Sequence, residues 1–340
     1  MLSARVAGAG ALSLAGLAAR YAAGRVRADR AWPVLVESRL GAIGAVDEVS
    51  VLPLVERLVP DGVPAGALRG EPGVSYLVGA GGTRLLFDTG LSGGRARPAL
   101  VANAERLGVD LSALDAVVIS HLHEDHVGGF RSMTRRTFSF AAEPLEPRGV
   151  PAYVPTEIRH DRAAVVLTTG PRVVARGVAV LPPLPRMLFW IGPVAEQALV
   201  VNVRGFGLLL VTGCGHPQIE RILGVTEQVL DVAVRGVLGG LHLPVHPLGT
   251  PLVPQAVLGS PHWPWQPIGE RDVEHVLDEI AARGPRLVAL SSHDSTPWTY
   301  GAFAHRFGDR YRTLRVGEEL RISASGVRAV APAGPAPMLA

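Results

Sequence analysis

The sequence predicts a mixed α/β fold whose strands deliver reactive side chains at their ends, and three observations predict it. From residue 45 onward, short apolar runs of strand type alternate with segments of helical spacing. Four of the strand-like runs end in polar punctuation: His121–His126, Cys214 with His216, His242, and His293 with Asp294. Two stretches, 73–195 and 197–325, each contain paired strands followed by a helix, with no sequence repeat between them. In open α/β sheets the loops that carry function sit at the carboxyl ends of strands.

Composition narrows the chemistry. The 340 residues are 48% hydrophobic and 19% charged, enough for a sizeable core and far from a disordered chain. All 33 basic side chains are arginine, which removes Schiff-base chemistry and the phosphate-binding lysine of a P-loop. Those arginines are scattered and the formal charge is only +3, so a nucleic-acid surface is not indicated. One cysteine, Cys214, excludes a disulfide framework.

Residues 6–23 are rich in small apolar side chains, preceded by Arg5 and followed by Arg25, Arg27 and Arg30. A spanning helix needs about 20 apolar residues, and this stretch is short and interrupted by Arg20. Residues 1–45 are therefore expected to be a targeting or membrane-associated segment, with 6–23 as an Ala/Gly-rich helix lying on a membrane or on the protein itself, or a loosely attached extension. The main domain is expected over 46–325, with a Pro/Ala-rich tail over 326–340. Localisation stays open between cytoplasm, membrane surface and export.

The elements follow in order. Residues 73–80 and 83–90 read as a hairpin around Gly81-Gly82, and 97–110 as a helix ending near Gly108. "LDAVVIS" (114–120) is a continuous apolar run, the pattern of a strand buried on both faces. Residues 131–195 are less regular, with a strand-like piece at 162–170. Residues 197–216 read as two strands meeting at Gly205, and 217–230 as a helix with Pro217 at its start. Residues 234–243 form a further strand. A Pro-rich stretch of about 25 residues follows, long enough to serve as a lid or substrate loop. Then come a helix over 270–284 and a strand over 286–294.

The densest chemistry lies in "SHLHEDHVGG" (120–129). His121 and His123 are two apart, so in extended backbone they share a face. Asp125 and His126 follow through a turn that Gly128-Gly129 completes. One metal cannot readily take four ligands from so short a segment; two metals can, one held by the histidine pair and the other by Asp-His. Imidazole and carboxylate ligands suit zinc, iron or manganese. Two ions about 3.5–4 Å apart can hold a hydroxide and polarise a substrate oxygen.

"SHLHEDHVGG" resembles the signature of the metallo-β-lactamase superfamily, and "LLFDTG" (85–90) resembles the strand carrying its supporting aspartate. "TGCGH" (212–216), "GGLHL" (239–243) and the last His-bearing strand resemble one branch, the dihydropterin-ribofuranosylaminobenzene-phosphate synthase-like proteins. The resemblance covers most of 50–322. It implies a four-layer αββα sandwich and one or two Zn2+ ions, with Mn2+ or Fe as alternatives. Carried over, His121, His123 and His216 would bind the first metal, and Asp125, His126 and His293 the second. Asp88 would hold the histidine loop from behind, as carboxylates do for metal-bound imidazoles.

Two positions depart from the pattern. Where many relatives have a bridging Asp, this chain has Cys214, which either ligates as a thiolate or is a small buried residue beside His216. "SSHDST" (291–296) places Asp294 after His293, either as a proton acceptor behind the site or as a cap. His242 would face the same cleft as a substrate-binding or proton-transfer group, the alternative being a core histidine. His246, His262, Trp263 and Trp265 lie in or near the Pro-rich loop, and His160, His275 and His305 read as structural.

The expected function is a metal-dependent hydrolase of an ester, lactone or phosphoester, with a metal-activated hydroxide oriented by Asp125 and with His242 in the cleft. An alkyl transferase of the pterin branch, a di-iron redox protein and a non-catalytic metal-binding module are the alternatives. The expected partner is a small-molecule substrate, without nucleic acid, and with membrane association through 6–23 as an option.

Overall fold

The computed structural model describes residues 2–35, 39–92, 97–140 and 147–331. In chain order its elements begin with α1 (Leu2–Leu35), β1 (Glu48–Val55), β2 (Ser75–Ala80), β3 (Thr83–Phe87), α2 (Ala99–Arg106), β4 (Ala116–Val118) and α3 (Phe130–Thr134). The middle of the chain forms β5 (Pro151–Val154), β6 (Ala164–Leu167), β7 (Arg172–Ala175), β8 (Val178–Val180), β9 (Leu184–Leu188) and β10 (Gly192–Glu196). Then follow β11 (Leu199–Val203), β12 (Gly207–Thr212), α4 (Ile219–Val229), β13 (Val234–Gly239), α5 (Val253–Leu258), α6 (Glu270–Ala281) and β14 (Leu287–Leu290). The last elements are α7 (Pro297–Phe307), β15 (Tyr311–Thr313), β16 (Glu319–Ser323) and β17 (Gly326–Val330).

Strand alternation decides how these elements layer. In β12 the side chains of Leu208 and Leu210 pack with α4, α6 and α7, whereas Leu209 and Val211 pack toward a second sheet. In β3 the same period puts Leu85 and Phe87 between the sheets and Leu86 against α2. A period of two therefore makes each central strand apolar on both faces. The result is two sheets face to face with helices outside each: an αββα sandwich. One sheet runs β17-β16-β1-β2-β3-β4-β5-β6, the other β15-β14-β13-β12-β11-β8-β7. Leu86 is fully buried, and truncating such a leucine to alanine costs about 2–5 kcal/mol.

The hairpin expected at 73–90 forms with Ala80 opposite Thr83. β3, β4 and β5 run parallel, as do β12, β13, β14 and β15. Their carboxyl ends therefore point the same way within each sheet, and every loop singled out for its histidines follows one of these strands.

Two readings change, and one open choice is resolved. Helix α4 starts at Ile219 behind Gln218, which takes a φ of 76°, so Pro217 lies just before the helix and not on its first turn. The last sheet hairpin continues to Val330, with Ser323 opposite Gly326, past the boundary at 325 expected from composition. Helix α1 is packed against the body: Tyr21 is fully buried among Met187, Phe189 and Trp263. Its hydroxyl donates to the Pro261 carbonyl at 2.5 Å. Among the described residues no helix is long and apolar enough to cross a membrane.

Candidate metal centre

Four loops at strand ends meet at one point. The loop after β4 carries His121, His123, Asp125 and His126; its path depends on Gly128 and Gly129, with φ of 86° and 105°. A side chain at Gly128 would run into the Ser139 carbonyl, and one at Gly129 would stand 2.7 Å from the Leu91 carbonyl oxygen. Glycine is required there on both counts. The loop after β12 brings Cys214 and His216, that after β13 His242, and that after β14 His293 and Asp294.

The donor atoms crowd together. His121 Nε2 and His123 Nδ1 are 3.0 Å apart, and His216 Nε2 is 3.3 Å from the same His123 nitrogen. Cys214 Sγ lies 3.1 Å from His126 Nε2 and 3.2 Å from His293 Nε2. Donors around one zinc ion, each at about 2.0–2.1 Å, would stand about 3.3 Å from one another. Potential ligand atoms of Asp125, His126, Cys214 and His293 all fall within 4.8 Å of one another, as do those of His121, Cys214 and His216. The residues therefore fit one or two cations. Cys214 occurs in both groups, so its sulfur occupies the place between them.

Charge supports the same fit. Burial drives the imidazoles of His121, His216 and His293 well below the ordinary histidine range, neighbouring histidines adding to the effect, and takes His123 to about 3. Neutral imidazole is the form that ligates. For His126 burial also works downward, yet Asp125 and Asp88 outweigh it and carry the ring up to about 9. A proton there takes the place a cation would fill between carboxylates. Burial, with nearby carboxylates, holds the Cys214 thiol well above its usual range.

Each half of the cluster is held from behind by a histidine–serine–carboxylate chain. On one side His121 Nδ1 donates to Ser120 Oγ at 2.9 Å, and Ser120 Oγ donates to Asp88 Oδ2 at 2.6 Å. Asp88 also accepts from His126 Nδ1 at 2.7 Å and from the Ser120 amide at 2.6 Å. On the other side His293 Nδ1 donates to Ser291 Oγ at 2.6 Å, and Ser291 Oγ donates to Glu56 Oε1 at 2.5 Å. Fixing Nδ1 this way turns Nε2 inward and sets the tautomer. Asp88 adopts φ 60°, a conformation that non-glycine residues take rarely and mostly at functional sites.

Sequence reasoning missed two of the carboxylates. Glu56 is fully buried and also accepts from Tyr76 Oη, the Ser292 amide and Ser292 Oγ. Glu196, at the end of β10, accepts the amides of Cys214 and Gly215 on Oε1 and that of His216 on Oε2. Burial pushes Glu196 up to about 7, against the pull of those amides. Neither lies in a motif; the only trace in sequence is an acidic residue at the end of an apolar strand.

His242 and Asp294 join the cluster as a pair. Asp294 Oδ2 accepts the His242 amide at 2.7 Å, so this aspartate ties two strand ends together. His242 has φ 52°, and its Nε2 donates to the Gln255 carbonyl at 3.1 Å. That leaves Nδ1 as a lone-pair acceptor, buried and without a protein partner. Ligand atoms of Cys214, His242 and Asp294 also lie within 4.8 Å of one another. A cleft of about 640 Å³ opens over the cluster, walled by Leu91, Ile191, Pro254 and Leu258. The other histidines lie apart: His160 stacks on Phe138, His246 pairs with Glu270, and His275 and His305 are exposed. Trp263 and Trp265 stack on each other, and Trp263 packs on Tyr21.

Comparison with known proteins places this geometry. A model described as the metallo-β-lactamase superfamily matches residues 68–139, the segment from before β2 to just beyond α3. The chain is 37% identical over 76 residues to Ribonuclease TTHA0252 of Thermus thermophilus, covering 22% of this chain and 17% of that protein. It is 31% identical over 191 residues to Lactamase-like protein vrtG of Penicillium aethiopicum, covering 52% and 53% respectively. The matches thus span about half, or less, of these relatives. Among solved structures, Tm1679, a metal-dependent hydrolase of the β-lactamase superfamily, superposes with a TM-score of 0.55 at 20% identity, over 81% of this chain and 99% of that one. Residues 68–139 are thus similar to the metallo-β-lactamase superfamily, and the chain shares its fold with Tm1679.

Proposed function

We propose that this protein is a metal-dependent hydrolase of small neutral substrates of the ester or lactone class. The observation that carries the reading is the convergence of seven potential ligand residues from three loops: His121, His123, Asp125, His126, Cys214, His216 and His293. The rear nitrogens of His121, His126 and His293 are already held by Asp88, Ser120 and Ser291. Zn2+ suits the imidazole-thiolate-carboxylate set. When bound, the ions would lower the pKa of a water molecule and polarise the bond under attack.

The chain's own residues would do the rest. His121, His123 and His216 would hold one ion; Asp125, His126 and His293 the other; Cys214 Sγ would lie between them. Asp125 is the cluster's partly open carboxylate, its side chain 18% exposed, and burial raises its pKa. It is placed to receive a proton on the cleft side. His242 Nδ1 would accept a hydrogen bond from a substrate hydroxyl or amide, because Gln255 fixes the proton on Nε2. The apolar walls would exclude water, and no arginine lines this cleft among the described residues, which favours a neutral substrate over a phosphoester. The finer pterin-branch reading rests on "TGCGH", "GGLHL" and the last His-bearing strand; alkyl transfer would join two substrates with release of a leaving group, where hydrolysis would consume water to cleave an ester or open a lactone.

The test is metal quantification coupled to turnover of ester, lactone, thioester, phosphodiester, β-lactam and RNA oligonucleotide substrates. One or two equivalents of zinc per chain are expected, with ester or lactone turnover lost on chelation and restored on re-addition. Undiminished turnover by fully chelated protein would sink the reading; phosphodiester or RNA turnover alone would overturn the substrate class.

A further inference from the structure

The groove between α1 and the β9–β10 hairpin holds more positive charge than its surroundings answer. Arg186, on β9, has a side chain only 3% exposed, and its Nε has no hydrogen-bond partner. Its nearest carboxylate is Asp29, 3.9 Å from Nη1. The same Asp29 oxygen is 2.7 Å from Arg221 Nη2, so one carboxylate stands between two guanidinium groups. Burial, and then Arg221 and Arg25, pull the Arg186 pKa down to about 10, still a cation at neutral pH. Beside Arg186 the groove is lined by Arg20 and Arg27, and by no acidic residue among those described. Arg20 passes over Gly192, its Nη2 lying where a Cβ would stand.

A buried, incompletely paired guanidinium beside two more at the rim calls for an anion. Planar arginine forks match the oxygens of a tetrahedral oxyanion, which accepts several N–H bonds at once. We propose that the α1–hairpin groove is a phosphate-binding site, with Arg186 at its base and Arg20 and Arg27 at its rim. The phosphate belongs either to a soluble phosphomonoester or to a lipid headgroup. Leu14 and Val26 are exposed on the same helix, at 54% and 49%, which suits the lipid source. The site is separate from the metal centre and stands whether or not the hydrolase reading holds.

The test uses the full chain with inorganic phosphate and glycerol phosphate by calorimetry, and with phosphatidylglycerol against phosphatidylcholine vesicles by co-sedimentation. Wild-type protein is expected to bind at least one phosphate probe saturably, above chloride at equal ionic strength. Arg186→Met and the rim double variant Arg20→Glu/Arg27→Glu are each expected to weaken binding at least about 10-fold. Binding of soluble phosphates identifies the first source; binding of phosphatidylglycerol vesicles alone identifies the second. If Arg186→Met does not fold, the exposed rim variant decides by itself. Failure of wild type to bind any of these probes, or unchanged binding in the rim variant, overturns the proposal.

Discussion

The candidate metal cluster is braced twice by the same chemistry, and the two braces are built differently. His121–Ser120–Asp88 joins neighbours on adjacent parallel strands, β3 and β4, 32 residues apart in sequence. His293–Ser291–Glu56 joins β14 of one sheet to the end of β1 of the other, across 235 residues. The first is a local device within one sheet. The second crosses the sandwich, so it fixes how the two sheets sit as well as how a histidine points. Metal geometry on the first side follows from a short motif, and on the second side from the assembled fold.

The largest effect expected is from the ligands themselves. His121→Ala and His293→Ala should each reduce metal occupancy and activity by more than the about 10–100-fold typical of disturbing a supporting partner, with far-UV circular dichroism unchanged. A His121→Ala/Asp125→Ala double variant that kept full metal content would break the site assignment. Cys214 sharpens the comparison, because its sulfur belongs to both halves. Cys214→Ala should lower the metal-to-protein ratio, and Cys214→Asp should restore it, read by elemental analysis.

The braces come next, and here the halves should separate. Asp88→Asn should weaken metal binding about 10–100-fold and destabilise the fold by less than the change at Glu56, since Asp88 accepts three hydrogen bonds, all within one sheet. Glu56→Gln should weaken binding similarly and also destabilise the fold by about 1–3 kcal/mol, since an amide cannot accept all four of its hydrogen bonds. The two are compared by denaturant midpoint on metal-free protein; equal losses would remove the distinction drawn between them. The smallest effect is expected far from either brace: Tyr21→Phe, losing its bond to Pro261, should cost about 1 kcal/mol. It should also raise the proteolytic sensitivity of 244–268 without changing metal content.

How much of this was legible follows the same division. The 73–90 hairpin, the strand at 114–120 and the helix at 270–284 appear as expected from period and punctuation. The positions His121, His123, Asp125, His126, Cys214, His216, His242, His293 and Asp294 lie at one cleft or just beneath it. What escaped was polar support without a motif: Glu56 and Glu196, each a single acidic residue whose partners are backbone amides and serines elsewhere. For α1 the sequence left the choice open between a membrane surface and the protein's own body. Its Ala- and Gly-rich sequence carries almost no amphipathic pattern, and its anchoring depends mostly on Tyr21 meeting Phe189 and Trp263.

By itself, then, the sequence determined the alternation that makes strands apolar on both faces and the spacing that puts four candidate ligands in one turn. Both are local, because side-chain direction follows from backbone period. Tertiary structure alone decided which sulfur falls between the two groups, which carboxylates hold the distant loops, and where two arginines gather around one carboxylate. Those depend on burial and on atoms far apart in the chain, and no local period encodes them.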